Sequence, residues 1–330
     1  MSNVTTDVLG VGNAIVDVLT NADDRFLQEN ALTKGAMTLI DAARAEALYE
    51  KMTDTIECSG GSAGNTMAGI ASFGGRGAYI GKVKDDRLGR VFSDDIRKIG
   101  VGYETSPALD GPPTGRCLVL VTPDAQRTMQ TFLGASATLT PDDIDVAAVS
   151  AAQITYLEGY LWDPPPAKEA FIKAADIAHG AGRQVALSLS DSFCVSRHRE
   201  EFRRLIEEHV DIVFANEDEI LSLYQTSDFE TAVDALQGNC DVAAVTRGAS
   251  GSVILAPDER LSVEAMTLGE VVDTTGAGDL FAAGFLFGLT RSRDLIECAR
   301  LGSLAAGEII RHFGARPEVR LSDLAIEHGL

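Results

Sequence analysis

Beyond residue 150 the chain alternates short apolar runs with helix-length amphipathic segments, and few folds accommodate that rhythm. The runs at 154–157, 185–189, 212–215, 242–246 and 252–255 are β-prone, and several are apolar throughout. A strand with one wet face alternates polar and apolar residues, whereas a strand apolar on both sides is buried on both faces, as in a parallel sheet covered by helices. Segments 167–179, 197–208 and 228–236 supply the intervening helix patterns. The repetition predicts an α/β class: a three-layer α/β/α fold with right-handed crossovers around a mainly parallel central sheet. Pro164-Pro165-Pro166 marks a loop and a helix start, where the missing proline N–H is not needed.

The first third breaks the rhythm. Segments 32–40, 101–106, 116–121 and 127–132 are short, β-prone and separated by turn residues such as Gly111-Pro112-Pro113. They read either as a small separate sheet or as edge strands of the main one. We expect a single domain over 1–330, with a small β-sheet lid formed by discontinuous segments near 13–40 and 101–133. A lid suits group transfer because it excludes water from the reacting centre.

Composition removes several functions. A net charge of −21 argues against non-specific nucleic-acid binding, which needs clustered Lys and Arg. A polyanionic ligand must then be gathered by local features, while cations such as Mg²⁺ are attracted by the global field. No stretch approaches the roughly 18 apolar residues of a membrane span, and the N-terminal stretch has no basic region followed by an apolar run. Cys58, Cys117, Cys194, Cys240 and Cys298 are scattered, as free thiols in a reducing cytoplasm are. The five histidines show no metal-ligand spacing.

Two glycine runs fail the nucleotide-loop patterns they superficially suggest. Gly10-Val11-Gly12-Asn13-Ala14-Ile15 lacks the third glycine of a dinucleotide fingerprint. Gly77-Ala78-Tyr79-Ile80-Gly81-Lys82-Val83 is one residue short of a P-loop and ends in Val where a metal-binding hydroxyl is required.

Three other runs carry chemistry. In Asp273-Thr274-Thr275-Gly276-Ala277-Gly278-Asp279-Leu280-Phe281, small residues bring backbone N–H groups to the start of an apolar helix pattern. Gly276, Ala277 and Gly278 can form an anion hole there, with the Asp279 carboxylate beside it as a base. Asp and Gly also serve plain capping at such places. In Gly60-Gly61-Ser62-Ala63-Gly64-Asn65, two glycines let a ligand lie against the backbone, and Asn65 can donate to and accept from a sugar hydroxyl. A helix-capping turn fits the same run. In Asn216-Glu217-Asp218-Glu219, Asn216 and Glu219 stand one helical turn apart and can face one site, or can simply complement a helix dipole.

Taken in this order, the string D-T-T-G-A-G-D-x-F-x-A-G-F and the Gly60 run resemble the two signatures of the PfkB (ribokinase-like) family of carbohydrate and nucleoside kinases. The likeness extends from about Asp7 to Ala315. It implies an ATP-dependent kinase that phosphorylates a primary hydroxyl, with Asp279 as general base. It also implies that Asp17 holds vicinal sugar hydroxyls, with Asn13, Gly60, Gly61 and Asn65 beside it. A carboxylate accepting two O–H bonds is a good diol clamp; an exposed cap or turn is the other reading of Asp17.

By the same resemblance Glu219, with Asn216, organises Mg²⁺ and phosphate through water. Thr246, Gly248 and Gly251 belong to a nucleotide-side loop. Asp273 and Thr275, with the loop near Gly314-Ala315, resemble the surroundings of a monovalent-cation (K⁺) site. Arg127 either supplies positive charge to the transferring group or is a solvated arginine.

Within the family, Gly12-Asn13-Ala14-Ile15-Val16-Asp17 and Ser188-Leu189-Ser190-Asp191-Ser192-Phe193 look closer to adenosine kinases than to ribokinases. This implies adenosine as the small-molecule acceptor, with Met37, Leu39, Cys117 and Leu133 either lining a base slot or simply packing the lid. A free sugar such as ribose or fructose is the alternative, and Glu158 could bond to it. A non-catalytic binding protein would be expected to have lost the base or the glycines, and this chain has kept both. The lid edges fit a monomer or a homodimer.

Overall fold

The computed structural model describes residues 4–124 and 126–330; the first three residues of the N-terminal stretch discussed above lie outside it. In chain order the strands are β1 (Thr6–Val11), β2 (Ile15–Asn21), β3 (Met37–Leu39), β4 (Ile56–Gly60), β5 (Gly77–Ile80), β6 (Gly102–Tyr103), β7 (Thr114–Val121), β8 (Arg127–Gly134), β9 (Ala152–Glu158), β10 (Gln184–Ser188), β11 (Ile212–Asn216), β12 (Val242–Thr246), β13 (Ser252–Ala256) and β14 (Glu259–Val263). Among the described residues they form two sheets, ordered β14-β13-β12-β11-β10-β9-β1-β5-β6 and β3-β8-β7-β2-β4.

The larger sheet is parallel from β6 to β12, and only β13 and β14 run antiparallel. The middles of its parallel strands are apolar because both faces are covered. Ile154, Tyr156, Ala186, Ile212 and Phe214 enter one core cluster, while Leu157, Val185, Leu187, Val213 and Val245 enter another on the opposite face. The first cluster includes Met67, Phe285 and Leu304 from the helices Ser62–Ser72, Ala277–Thr290 and Leu295–Ile309. The second takes Phe171, Phe202 and Ile220 from the helices Pro165–Gly180, Ser192–His209 and Glu217–Tyr224. This is the three-layer α/β/α arrangement expected from the alternation. No helix among the described residues is long and apolar enough to cross a membrane.

The smaller sheet is the lid. Its outward-turned residues Val16, Val18 and Leu118 join the main core with Leu88, Phe92 and Ile96 of the helix Arg87–Lys98. The opposite face presents Ile15, Cys117 and Val119, flanked by Leu19, Val121 and Met129. Two expectations are corrected here. Segment 101–106 does not belong to the lid: only Gly102–Tyr103 is a strand, and it pairs with β5 at the edge of the main sheet. The buried Tyr103 ring explains this, since it packs on Tyr79 and Phe92 in the body. The lid strand β4 lies outside both expected segments, and in 32–40 only Met37–Leu39 is strand.

The helix Ala277–Thr290 is apolar nearly all round because it is sandwiched between the helices Ser62–Ser72 and Leu295–Ile309. The contact with the latter is close enough that a Cβ at Gly284 would stand 2.3 Å from the carbonyl oxygen of Leu301. Gly284→Ala is therefore expected to lower stability by about 1–3 kcal/mol through forced separation of the two helices, read as a lower urea midpoint with an unchanged slope.

Candidate active site

A cavity of about 1430 Å³ opens where the strands of the larger sheet end, and the inner face of the lid closes it from above. Glu158, Ser188, Asn216 and Thr246, the last residues of β9, β10, β11 and β12, all line it. Open parallel sheets place ligands at this end because the helix N-termini point there.

Thr274 through Ala277 make a β-turn in which the Ala277 N–H donates to the Thr274 carbonyl at 3.2 Å. Gly276 occupies the third position with φ +79° and ψ −2°. These are type II values, which an L side chain rarely adopts. The turn delivers the chain into the helix Ala277–Thr290, and it corrects one expectation. The Ala277 N–H belongs to the turn, whereas those of Gly276, Gly278 and Asp279 have no acceptor among the described residues. A Cβ at Gly278 would meet nothing within 4 Å, so that face is open to the cavity.

Asp279 stands in the first turn of this helix. Its Oδ1 accepts from Ser62 Oγ at 2.6 Å and its Oδ2 from Asn65 Nδ2 at 2.9 Å. Burial holds its carboxyl above the usual range, opposed by these two bonds and by Arg316. Asn65 thus reaches the Asp279 carboxylate itself. Ser62, for which the sequence suggested no role, does the same.

Asp17 lies in β2, in register with Cys58 of β4 and Cys117 of β7. It is neither a cap nor a turn residue. Gly60 exists as glycine to admit it: a Cβ there would stand 2.4 Å from the Asp17 carboxylate. No side-chain or backbone donor among the described residues bonds to its oxygens, and it lines the cavity. Burial pushes its pKa up to about 6, against the pull of Arg316 and Arg127. Both flanking thiols are pushed up to about 12 by burial, so they face Asp17 as neutral groups. Met37, Leu39, Cys117 and Leu133 all line the cavity from the lid.

Asn13 and Glu158 both line the cavity and are also bonded to each other. Asn13 donates from Nδ2 to Glu158 Oε1 at 2.7 Å and accepts from Ser136 Oγ at 2.8 Å, so its amide is engaged by protein. The other Glu158 oxygen accepts the Ala63 N–H at 2.8 Å. Glu158 is almost wholly buried, and burial lifts its carboxyl to about 7 against these bonds. It fastens the segment after β1 to the helix Ser62–Ser72. Gly61, with φ +88°, caps that helix and lines the cavity.

On the far side, Asn216 and Glu219 form a reciprocal capping box at the start of the helix Glu217–Tyr224. Asn216 N and Nδ2 donate to the two Glu219 oxygens at 2.9 and 2.6 Å. Burial first, then the nearby Asp191, Asp218 and Asp279, lifts Glu219 to about 7 against the Asn216 bond. Such a concentration of carboxylates is one a divalent cation would relieve, and Mg²⁺ held largely by water fits oxygens already engaged by Asn216. Among the described residues no group of three or more His, Cys, Asp and Glu is arranged to hold a metal directly. Thr246 and Gly248 line the cavity; Gly251 does not. Gly251 instead serves the turn into β13 with φ +84°, packed against the Val263 carbonyl.

Asp273 and Thr275, expected at a monovalent-cation site, form a different structure. Thr275 donates to Asp273 Oδ1 from its N–H and its hydroxyl, at 3.0 and 2.7 Å. Arg127 of the lid places Nε 3.0 Å from Asp273 Oδ2, and the Gly314 N–H approaches the same oxygen at 3.4 Å. A guanidinium occupies the side of the carboxylate a cation would need, so these side chains do not fit K⁺. Arg316, which no pattern in the sequence singled out, also lines the cavity.

The family described as pfkB family carbohydrate kinase is matched over residues 35–320. The crystal structure of an adenosine kinase from Sinorhizobium meliloti is 54% identical with a TM-score of 0.91, covering 98% of this chain and 99% of that one. The crystal structure of a probable sugar kinase from Rhizobium etli is also 54% identical with a TM-score of 0.91, covering 98% of each chain. An adenosine kinase of Saccharomyces cerevisiae is 26% identical over 94% of this chain and 96% of its own length.

The raised Asp17 pKa gives a signed expectation. If Asp17 holds hydroxyls of the acceptor, as the sequence implies, affinity is present above about pH 6 and falls as pH drops through that value, read as KM for the acceptor across the acid range. A folded-state pKa above the unfolded one also means that charged Asp17 costs stability at neutral pH. Asp17→Asn should therefore unfold later by roughly 1–3 kcal/mol near pH 8 while losing acceptor binding, measured by thermal melts and calorimetry.

Proposed function

The chain belongs to the pfkB family of carbohydrate kinases and is a phosphotransferase with an alcohol acceptor; within that activity we propose that it moves the γ-phosphoryl group of ATP onto the 5′-hydroxyl of adenosine, giving AMP. The observation that carries this reading is the surroundings of Asp17. Its oxygens open onto the cavity, and the lid wall beyond it is apolar, through Ile15, Leu19, Met37, Leu39, Val119 and Met129. A ribose diol on the carboxylate with a base against that wall satisfies both surfaces. A free sugar would turn hydroxyls toward that apolar wall or leave it uncovered.

The proposed transfer is in line. Ser62 and Asn65 fix the Asp279 carboxylate, leaving a lone pair on each oxygen to accept the proton of the attacking hydroxyl. The N–H groups of Gly276, Gly278 and Asp279 face charge that develops on the phosphoryl oxygens. Asn216 and Glu219, with Thr246 and Gly248, hold the nucleotide side. Bound Mg²⁺ would neutralise charge on the ATP phosphates, with Glu219 orienting its waters. A K⁺ requirement is not part of the reading. The five cysteines are free thiols, which suits a reducing cytoplasm.

A free sugar is the competing acceptor, favoured by the description of the Rhizobium etli relative as a probable sugar kinase. ATP consumption with adenosine, inosine, ribose and fructose separates the two: kcat/KM for adenosine should exceed that for either sugar by roughly 10²-fold or more, and the reverse order would falsify the choice of acceptor. Asp279→Asn should retain the fold and lose about 10³-fold in kcat; a variant with most of its turnover would end the role given to this carboxylate.

A further inference from the structure

We propose that Arg316 is a positioning residue for the acceptor half of the site, stapling lid strand β4 to the helix that holds the base and setting a positive charge between Asp17 and Asp279. The proposal rests on the reading of Asp17 as hydroxyl acceptor and Asp279 as base.

Arg316 follows Gly314-Ala315 and is half-buried in the cavity wall. Its Nη1 donates to the Gly64 carbonyl at 2.7 Å, in the first turn of the helix Ser62–Ser72. Its Nη2 donates to the Ser59 carbonyl at 2.6 Å and to Ser59 Oγ at 3.1 Å, in β4. Gly64 stands between Ser62 and Asn65, the two residues that bond to Asp279. Ser59 precedes Gly60, which packs against Asp17. One guanidinium thus fixes the strand behind one carboxylate and the helix in front of the other.

All three acceptors are neutral, and no carboxylate among the described residues lies within ion-pair distance. Asp95 of the helix Arg87–Lys98 reaches Arg316 only through Ser59, whose N–H and hydroxyl it accepts at 2.8 and 2.7 Å. Arg127, by contrast, has its charge matched by Asp273. The charge of Arg316 therefore acts on the groups that face it. These are Asp17 from β2, Cys58 from β4, Asp95 and Asp279 from their helices, and Tyr79 from β5, with Arg127 and Glu158 in the same field. It favours the ionised forms of Asp17 and Asp279, which both proposed roles require. A lysine would keep the charge but could not reach two elements with separate nitrogens.

The test compares wild type, Arg316→Gln and Arg316→Lys by two readouts: the pH profile of adenosine phosphorylation, and ¹³C NMR titration of the aspartate carboxyls, which needs no turnover. Arg316→Gln should raise the acid limb of kcat/KM, and the Asp17 and Asp279 midpoints, by roughly one pH unit. Arg316→Lys should keep those midpoints and lose roughly tenfold or more in kcat/KM. Unchanged midpoints in Arg316→Gln would overturn the electrostatic part, and a Lys variant with wild-type kcat/KM would overturn the staple. If Arg316→Gln melts below the assay temperature, Arg316→Lys decides alone. A wild-type protein that phosphorylates no acceptor would sink the functional reading, while the carboxyl titrations would still judge Arg316.

Discussion

Ser62 and Asn65 hydrogen-bond to Asp279 across more than 200 residues of chain. That contact needs the helix Ser62–Ser72 and the helix Ala277–Thr290 side by side, and much of the fold arranges this. Leu280 and Ala283 approach Gly69, and β1 and β9 carry Asn13 and Glu158, which tie the first helix to the sheet. The type II turn at Gly276 aims the second helix, and Asp273 shapes the turn through Thr275. Removing any of these leaves a buried carboxylate without its donors, a costly state in a low-dielectric cleft.

Electrostatics makes the same demand. A chain of net charge −21 brings Asp17, Glu158, Glu219 and Asp279 to one cavity. Burial disfavours their charge, and each is held by a separate local device. Glu158 has backbone and amide donors, Glu219 has a capping box, Asp279 has Ser62 and Asn65, and Asp17 has only the more distant field of Arg316 and Arg127. Asp17 is the least satisfied of the four, which suits the hydroxyl-accepting role proposed for it.

The parallel sheet was legible because burial on both faces leaves an unbroken apolar signature, as at 185–189 and 212–215. The two glycine signatures were legible because close backbone approach restricts residue type, as Gly60 and Gly276 show. What escaped has no local pattern. Strand β4 is a short edge whose Glu57 and Cys58 carry no alternation, and Tyr103 was assigned to the lid although its ring belongs to the body core. The hydrogen bonds of Asn13 and Arg316 and the ion pair of Arg127 depend on residues 123 or more positions away. Local sequence therefore identified residues near the site but not which of them bond to one another. Gly251, which lies outside the cavity, carries the cost of that gap.

Asp273 is shared property. One of its oxygens shapes the turn that presents N–H groups to phosphate, and the other rests against Arg127 at the start of a lid strand. The lid cannot lift there without stripping this carboxylate of its cationic neighbour, and a carboxylate so stripped is freer to abandon the turn. The shape of the turn and the seating of the lid strand are thereby coupled through one side chain. In the proposed reaction that coupling would leave the phosphate cradle complete only beneath a seated lid, where water is excluded.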